Sequence, residues 1–231
     1  MKYSEIKKWE RDNSYYDHSN REIKTILSLT NFKNRRVLDV GSGIGRLILP
    51  LSEHTKEIVG IDIDKSLISY CLERKKRRNV KYLSSDISNF HDKEFDIAIW
   101  AQPIYENLNK ILRSISSNLK NKGKLIVVKW IDEDNDYNEI LTPFWDKDET
   151  LMDKVEKFSS NFKIILKKYF RIKKISTYYL YPNKGELIKS IIQDSPKPFT
   201  LEDRKVLNKL LMKYDHKKIK VSMKIYLCEK K

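Results

Sequence analysis

Val37-Leu-Asp-Val-Gly41-Ser-Gly43-Ile-Gly45-Arg46 is the stretch on which the fold turns. Its first half ends an apolar run, Arg36-Val-Leu-Asp-Val40, which reads as a buried strand. Its second half sets three glycines at alternate positions, and a helix is expected directly behind them. Lacking Cβ atoms, such a turn can bend sharply and let a ligand approach the backbone. The helix N-terminus would add free N–H groups and a partial positive charge for an anionic group. The next apolar run is Glu57-Ile-Val-Gly-Ile-Asp62, and Asp62 closes it 21 residues after Gly41. A doubly wound sheet places there the carboxylate that grips ribose hydroxyls. The spacing GxGxG, not GxGxxG, points away from a dinucleotide. A tight turn with a structural aspartate is the plainer alternative.

Working outward, Val80-Lys-Tyr-Leu83, Phe95-Asp-Ile-Ala-Ile-Trp100 and Lys124-Leu-Ile-Val-Val-Lys-Trp130 read as further strands. Leu67, Ile68, Cys71 and Leu72 have helical spacing. So do Leu108, Ile111, Leu112, Ile115 and Leu119, with Asn121-Lys-Gly123 as the expected helix stop. Strands alternating with helices imply βαβ units and a parallel sheet. Beyond them the spacing predicts a long helix over 148–168, a strand over 171–181, and helices over 184–193 and 201–214. The second of these is preceded by a Thr200/Asp203 capping box. A half-buried final strand is expected over 218–228, with Ile219, Val221, Met223, Ile225 and Leu227 on one face.

Composition narrows the class. With 231 residues and 40% hydrophobic content, the chain is long and apolar enough for one well-packed domain. No apolar run reaches the roughly 18 residues of a membrane span. The start, Met1-Lys-Tyr-Ser-Glu-Ile, lacks the apolar core of a secretory signal. Cys71 and Cys228 are too few for a disulfide framework, so the expected location is the cytoplasm. No His/Asp/Glu cluster has metal-ligand spacing, and no metal is expected. His54, His91 and His216 stand isolated and read as solvated or capping side chains.

At these residues the chain resembles the class I (Rossmann-like) S-adenosylmethionine-dependent methyltransferases. Leu38–Gly45 looks like their first motif and Gly60-Ile-Asp-Ile63 like their second. Tyr82-Leu-Ser-Ser-Asp86-Ile87 falls where an acid reads the adenine amino group. Phe95-Asp-Ile-Ala-Ile99 matches the fourth strand. Leu119-Lys-Asn-Lys-Gly-Lys-Leu-Ile126 matches the turn into the fifth, with Lys122 where the family has the first of two glycines.

The resemblance implies an α/β fold. Its sheet is seven-stranded, doubly wound and mostly parallel with an antiparallel last strand, and helices cover both faces. A single domain over 1–231 is expected. Residues 1–30 would form an N-terminal helical lid and 31–131 a cofactor-binding core. Residues 132–231 would hold a helical insertion that shapes the substrate site, and the end of the sheet. The implied cofactor is S-adenosyl-L-methionine, leaving S-adenosyl-L-homocysteine as product. Carried over by position, Gly41, Ser42, Gly43 and Gly45 line its methionine and ribose portion, and Asp39 orients the turn and the ammonium. Asp62 holds the ribose hydroxyls, with Ile63 against adenine. Asp86 accepts from the adenine amino group, with Ile87 on the ring. Trp100 follows the strand that ends beside the methyl.

The acceptor is less legible. Tyr15, His18 and Tyr105 are the candidate general bases. Trp9, Tyr16 and Arg21 are candidate lid residues, Trp9 being equally a core anchor. Trp130 and Trp145 could wall the acceptor pocket or serve only packing. Gln102-Pro-Ile-Tyr105 sits where DNA amino-methyltransferases hold a flipped base, but Pro103 opening the next helix is the simpler reading. The net charge of +15 invites nucleic acid. Yet Arg74-Lys-Lys-Arg-Arg78 and the basic residues from Lys163 to Lys174 are expected at the sheet edge away from the ligand. Eight acids against Lys147 alone crowd 132–149 at the ligand edge. A small-molecule acceptor is therefore expected, acting with a monomer or homodimer and no membrane partner. The alternatives are an RNA or DNA methyltransferase and a non-catalytic cofactor-binding accessory protein.

Overall fold

The computed structural model describes residues 1–17, 19–74, 77–103, 107–131, 134–144, 161–194 and 198–231. Two helices come first, α1 (Tyr3–Tyr16) and α2 (Arg21–Leu29). Then follow β1 (Arg36–Val40), α3 (Ile48–Ser52), β2 (Glu57–Asp62), α4 (Lys65–Glu73), β3 (Val80–Ser84), β4 (Phe95–Ala101), α5 (Leu108–Asn118) and β5 (Leu119–Trp130). Helix α6 (Asp136–Leu141) is followed by a helix α7 over 161–169 and strand β6 (Phe170–Leu180). Helices α8 (Lys184–Asp194) and α9 (Leu201–Met212) precede β7 (Val221–Lys230).

The seven strands form one sheet in the order β3-β2-β1-β4-β5-β7-β6. Its first five strands are parallel, and β7 runs antiparallel between β5 and β6. This is the architecture expected. Alternation along the strands supplies two layers. Leu125 and Val127 of β5 face α5 and α7 through Leu112, Ile115, Phe162 and Leu166. Ile126 and Val128 face the other way, toward Ile26, Ile48, Leu51 and Ile68 of α2, α3 and α4. Helices α6, α8 and α9 build a third apolar cluster around Ile140, Leu187, Leu207 and Leu211.

Several boundaries differ from expectation for physical reasons. The helix behind the glycines is only five residues long and starts at Ile48 after a turn, so the glycine loop does not open into a long helix. Helix α5 ends at Asn118, not at Gly123: the Asn118 amide donates to Phe90 O and Ser114 O, and Leu119 already pairs with Phe95. Lys122 then takes a left-handed φ of 59°. Pro103 does not start α5, which opens at Leu108 behind Asn107. The capping box of Thr200 and Asp203 is formed. Of the helix expected over 148–168, residues 148–160 lie outside the described set.

Candidate functional site

The parallel strands β1, β2, β3, β4 and β5 all end on one edge, and the glycine loop sits there between β1 and α3. Three bonds fix it. Ser42 N–H donates to Ile61 O (2.9 Å), Gly43 N–H to the Asp62 carboxylate (2.9 Å), and Gly45 N–H to Ser42 O (2.9 Å). The other Asp62 oxygen accepts from Asp64 N–H (2.9 Å). Asp62 thus holds the loop and still keeps lone pairs on both oxygens. Gly41, at φ +68°, would point a Cβ into open space, with no atom within 4 Å. Gly43, at φ +52°, would point one at the Trp9 ring, 3.0 Å away. Ile63, next to Asp62, is 74% exposed, an unusual position for isoleucine.

Asp39 precedes the loop and points, like Val37, into the layer of α2 and α3. It is 2% exposed, and no described residue donates a hydrogen bond to its carboxyl. Burial pushes it up to about 7; Arg46 pulls against this, and Glu22 and Asp62 add to it. Beside it Glu22 of α2, also 2% exposed, accepts from both terminal nitrogens of Arg46. The hydroxyls of Ser42 and Tyr178 are buried without a partner. Tyr178 reaches this cluster from β6 and is raised well above its ordinary range by burial and then by Glu22.

Further along the edge, Asp86 is exposed and accepts from Ser88 N–H (2.8 Å), which holds its carboxyl below the usual range. Ile87 and Trp100 are buried in one cluster on the α5 side, Trp100 at 4% exposure. Gln102, just past β4, is left-handed at φ 54° although it precedes proline, and its N–H donates to Val128 O (2.8 Å). Such strain is more common at functional positions than elsewhere.

Helix α1 lies along this edge. Just before it the Met1 amino group bonds Asp64 and Ser66, and Ile6 packs on Leu67 and Tyr70 of α4. Glu10 pairs with Arg74 (2.7 Å) and accepts from Tyr70 (2.7 Å). Trp9 lies against Gly43, 40% exposed. At the other end Tyr16 packs edge-on against Trp130 and Tyr137, and its hydroxyl bonds that of Tyr137. Trp130 Nε1–H donates to Asn138 (3.1 Å). A cavity of about 470 Å³ lies between α1, α3 and α4; of the residues assigned to the cofactor it touches Gly45 alone among those described.

Of the three candidate bases, His18 and Tyr105 lie outside the described residues, as does the side chain of Tyr15. Trp145 also lies outside them. Arg21 does not reach the loop; it stacks on Tyr181 at 5.3 Å, and Arg46 is the arginine there. Arg74 is not left at the far edge, because α4 spans only nine residues and Glu10 engages it. Arg77, paired with Glu53, does sit near the start of β3. The acids after β5 are not free either. Lys220 pairs with Asp134, its backbone N–H donates to Asp136 (2.9 Å), and Glu139 pairs with Lys213. His54, His91 and His216 are exposed. Among the described residues no three His, Cys, Asp or Glu side chains gather as metal ligands, and no helix is long and apolar enough to cross a membrane. Glu22, Arg46 and Tyr178 were not singled out from sequence. Only Arg46, directly behind the third glycine, carried a signal.

Residues 31–197 match a family model described as a methyltransferase domain. YcgJ, a methyltransferase of Bacillus subtilis, is 27% identical over 141 residues, covering 54% of this chain and 56% of its own. Its crystal structure shares the fold at a TM-score of 0.58 and 16% identity, covering 91% of this chain and 97% of that one. Ribosomal RNA small subunit methyltransferase A of Wigglesworthia glossinidia brevipalpis is 32% identical over 75 residues, 32% of this chain and 29% of that protein. The match therefore spans about half, or less, of these curated relatives. A Haemonchus contortus phosphoethanolamine N-methyltransferase, solved with S-adenosylhomocysteine and phosphomonomethylethanolamine, has the same fold at a TM-score of 0.58 and 17% identity, covering 92% of this chain and 52% of that chain.

Proposed function

The chain belongs to the methyltransferase-domain family, and from that premise we propose that it is an S-adenosylmethionine-dependent methyltransferase acting on a small-molecule acceptor at the loop edge of its sheet. The observation that carries the cofactor site is Asp39: a buried carboxyl with no described donor, behind a loop whose Gly41 leaves open space where any side chain would stand. These features, with the unpartnered Ser42 hydroxyl, fit the amino-acid end of the cofactor. Asp62 has lone pairs for the ribose hydroxyls, exposed Ile63 offers an apolar face to adenine, and Asp86 stands beyond it for the amino group. Ile87 and Trp100 support this wall from the core.

When bound, S-adenosylmethionine supplies a methyl group on a positively charged sulfur. The protein's part is to orient the acceptor in line and keep water out. Helix α1 covers the loop with Trp9, and its Tyr16 closes on Trp130 at the end of β5 and on Tyr137 of α6. A short acceptor fits beneath this wall better than a long duplex. Gln102, strained at the end of β4, is placed to hold the acceptor. Residues 1–30 then act as lid, 31–131 as cofactor core and 132–231 as acceptor side.

Titration calorimetry with S-adenosylmethionine tests the shared premise. The wild type should bind, and Asp62→Ala should lose at least tenfold in affinity; no binding by the wild type would remove the cofactor assignment. Filter binding with tRNA, rRNA and DNA across salt tests the acceptor class. Tight binding that weakens steeply with salt would favour a nucleic-acid substrate instead.

A further inference from the structure

We propose that capture of the cofactor is coupled to release of a proton from Asp39, with Glu22 and Arg46 as the positioning residues that set the coupling. The proposal rests on the cofactor assignment above. Its basis is an imbalance of buried charge. Two carboxyl groups, Asp39 and Glu22, each 2% exposed, share one guanidinium, Arg46. Glu22 takes both terminal nitrogens of that guanidinium, so Asp39 feels its charge without receiving a hydrogen bond. The remaining groups facing Asp39 do not make up the deficit. Asp62 adds negative charge, and the Cys71 thiol and Tyr82 phenol are held neutral by burial, Cys71 being pushed up to about 12. The Tyr178 hydroxyl, brought by β6, lies against Glu22 and Arg46 and has no partner.

A buried carboxyl lacking donors and a full counter-charge favours its neutral form. Asp39, raised to about 7, is therefore half protonated at neutral pH. The cofactor carries an ammonium and a sulfonium against one carboxylate. Bringing that cation to Asp39 stabilises the anion, and the proton passes from the carboxyl oxygen to the buffer. Apart from this O–H bond nothing is broken, and one proton leaves per cofactor captured by the protonated protein. Affinity should rise as pH climbs from 6 toward 7, and fall again near pH 8, where the cofactor's own amine loses its proton. Glu22→Gln removes a negative neighbour and releases Arg46 toward Asp39. Both changes favour the anion, so the inflection should move to lower pH.

The experiment is calorimetry of the full chain with S-adenosylmethionine from pH 6 to 8, repeated at pH 7 in phosphate and in Tris, whose ionisation enthalpies differ. For the wild type we expect a net release of about 0.4 proton per cofactor at pH 7 and roughly fivefold tighter binding at pH 7 than at pH 6. Asp39→Asn should keep only the pH dependence of the cofactor's own amine. Glu22→Gln should bind with its inflection displaced to lower pH. A purely structural role for Glu22 would weaken binding equally at every pH and would overturn its assignment. Wild-type binding with no buffer dependence and a flat profile would overturn the coupling while leaving the cofactor site intact. No binding at any pH would instead remove the site itself. The wild-type measurement decides the coupling even where a variant fails to fold.

Discussion

A carboxyl such as Asp39 is a cost to the folded chain before it is of any use. Its folded value of about 7 lies above the ordinary 3.8, so the native state keeps a proton that the unfolded chain has already lost. Stability should therefore fall as pH rises from about 4 to 7 and stay level above 7. Asp39→Asn removes that fall. Urea unfolding of the free protein should show the variant gaining on the wild type across this window, by on the order of 3 kcal/mol at pH 8 relative to pH 4. A constant difference between the two proteins would contradict it. Asp39, Gly41 and Asp62 were legible in the sequence because adjoining strand ends bring them together at a recognisable spacing. Glu22 and Tyr178 were not. They come from α2 and β6, and only packing across the sheet sets them beside Arg46.

At the scale of elements, legibility followed how sharply a run was bounded. Strands β1 and β2 begin and end where expected, because each continuous apolar run stops at a charged residue or a glycine. The junction of α5 and β5 was misplaced because Gly123 looked like a helix stop, while the Asn118 amide closes the helix through Phe90, a residue distant in sequence. Lys122 takes φ 59° there, where the family has glycine, and its side chain is exposed. A left-handed side-chain-bearing residue is strained by about 1 kcal/mol. Lys122→Gly should raise the free energy of unfolding by about that amount without altering cofactor affinity, as a shift in the urea midpoint would report. The short α3 was equally unpredictable. Gly60 admits it so closely that a Cβ there would lie 2.2 Å from Ile48, a contact no local pattern reveals.

The whole molecule is a sheet with one covered edge. Among the described residues, the apolar side chains that attach helix α1 to it are few: Ile6 with Leu67, Tyr70 and Ile44, Tyr3 on Tyr70, Trp9 on Gly43, and Tyr16 at the other end. Ile6→Ala should speed hydrogen exchange across residues 3–16 by an order of magnitude and leave exchange in β1 and β5 unchanged, because the local opening energy drops while the core keeps its own. Equal acceleration everywhere would mean that α1 unfolds only with the rest. The net charge of +15 has a plainer part at this scale. Lys213 and Lys220 answer the acids after β5, and Arg171 pairs with Glu229 at the opposite edge, so part of the basic excess is structural.

The place of β7 between β5 and β6 has a consequence for how the chain is made. The ribosome delivers residues 170–180 before the strand that must hold them, since β6 is hydrogen-bonded into the sheet through β7. Until residues 221–230 emerge, β6 has no strand to pair with, and Tyr178 is not held beside Glu22 and Arg46. The nascent protein can therefore complete its glycine loop early, yet it gains the buried charge cluster behind that loop only once β7 has been made.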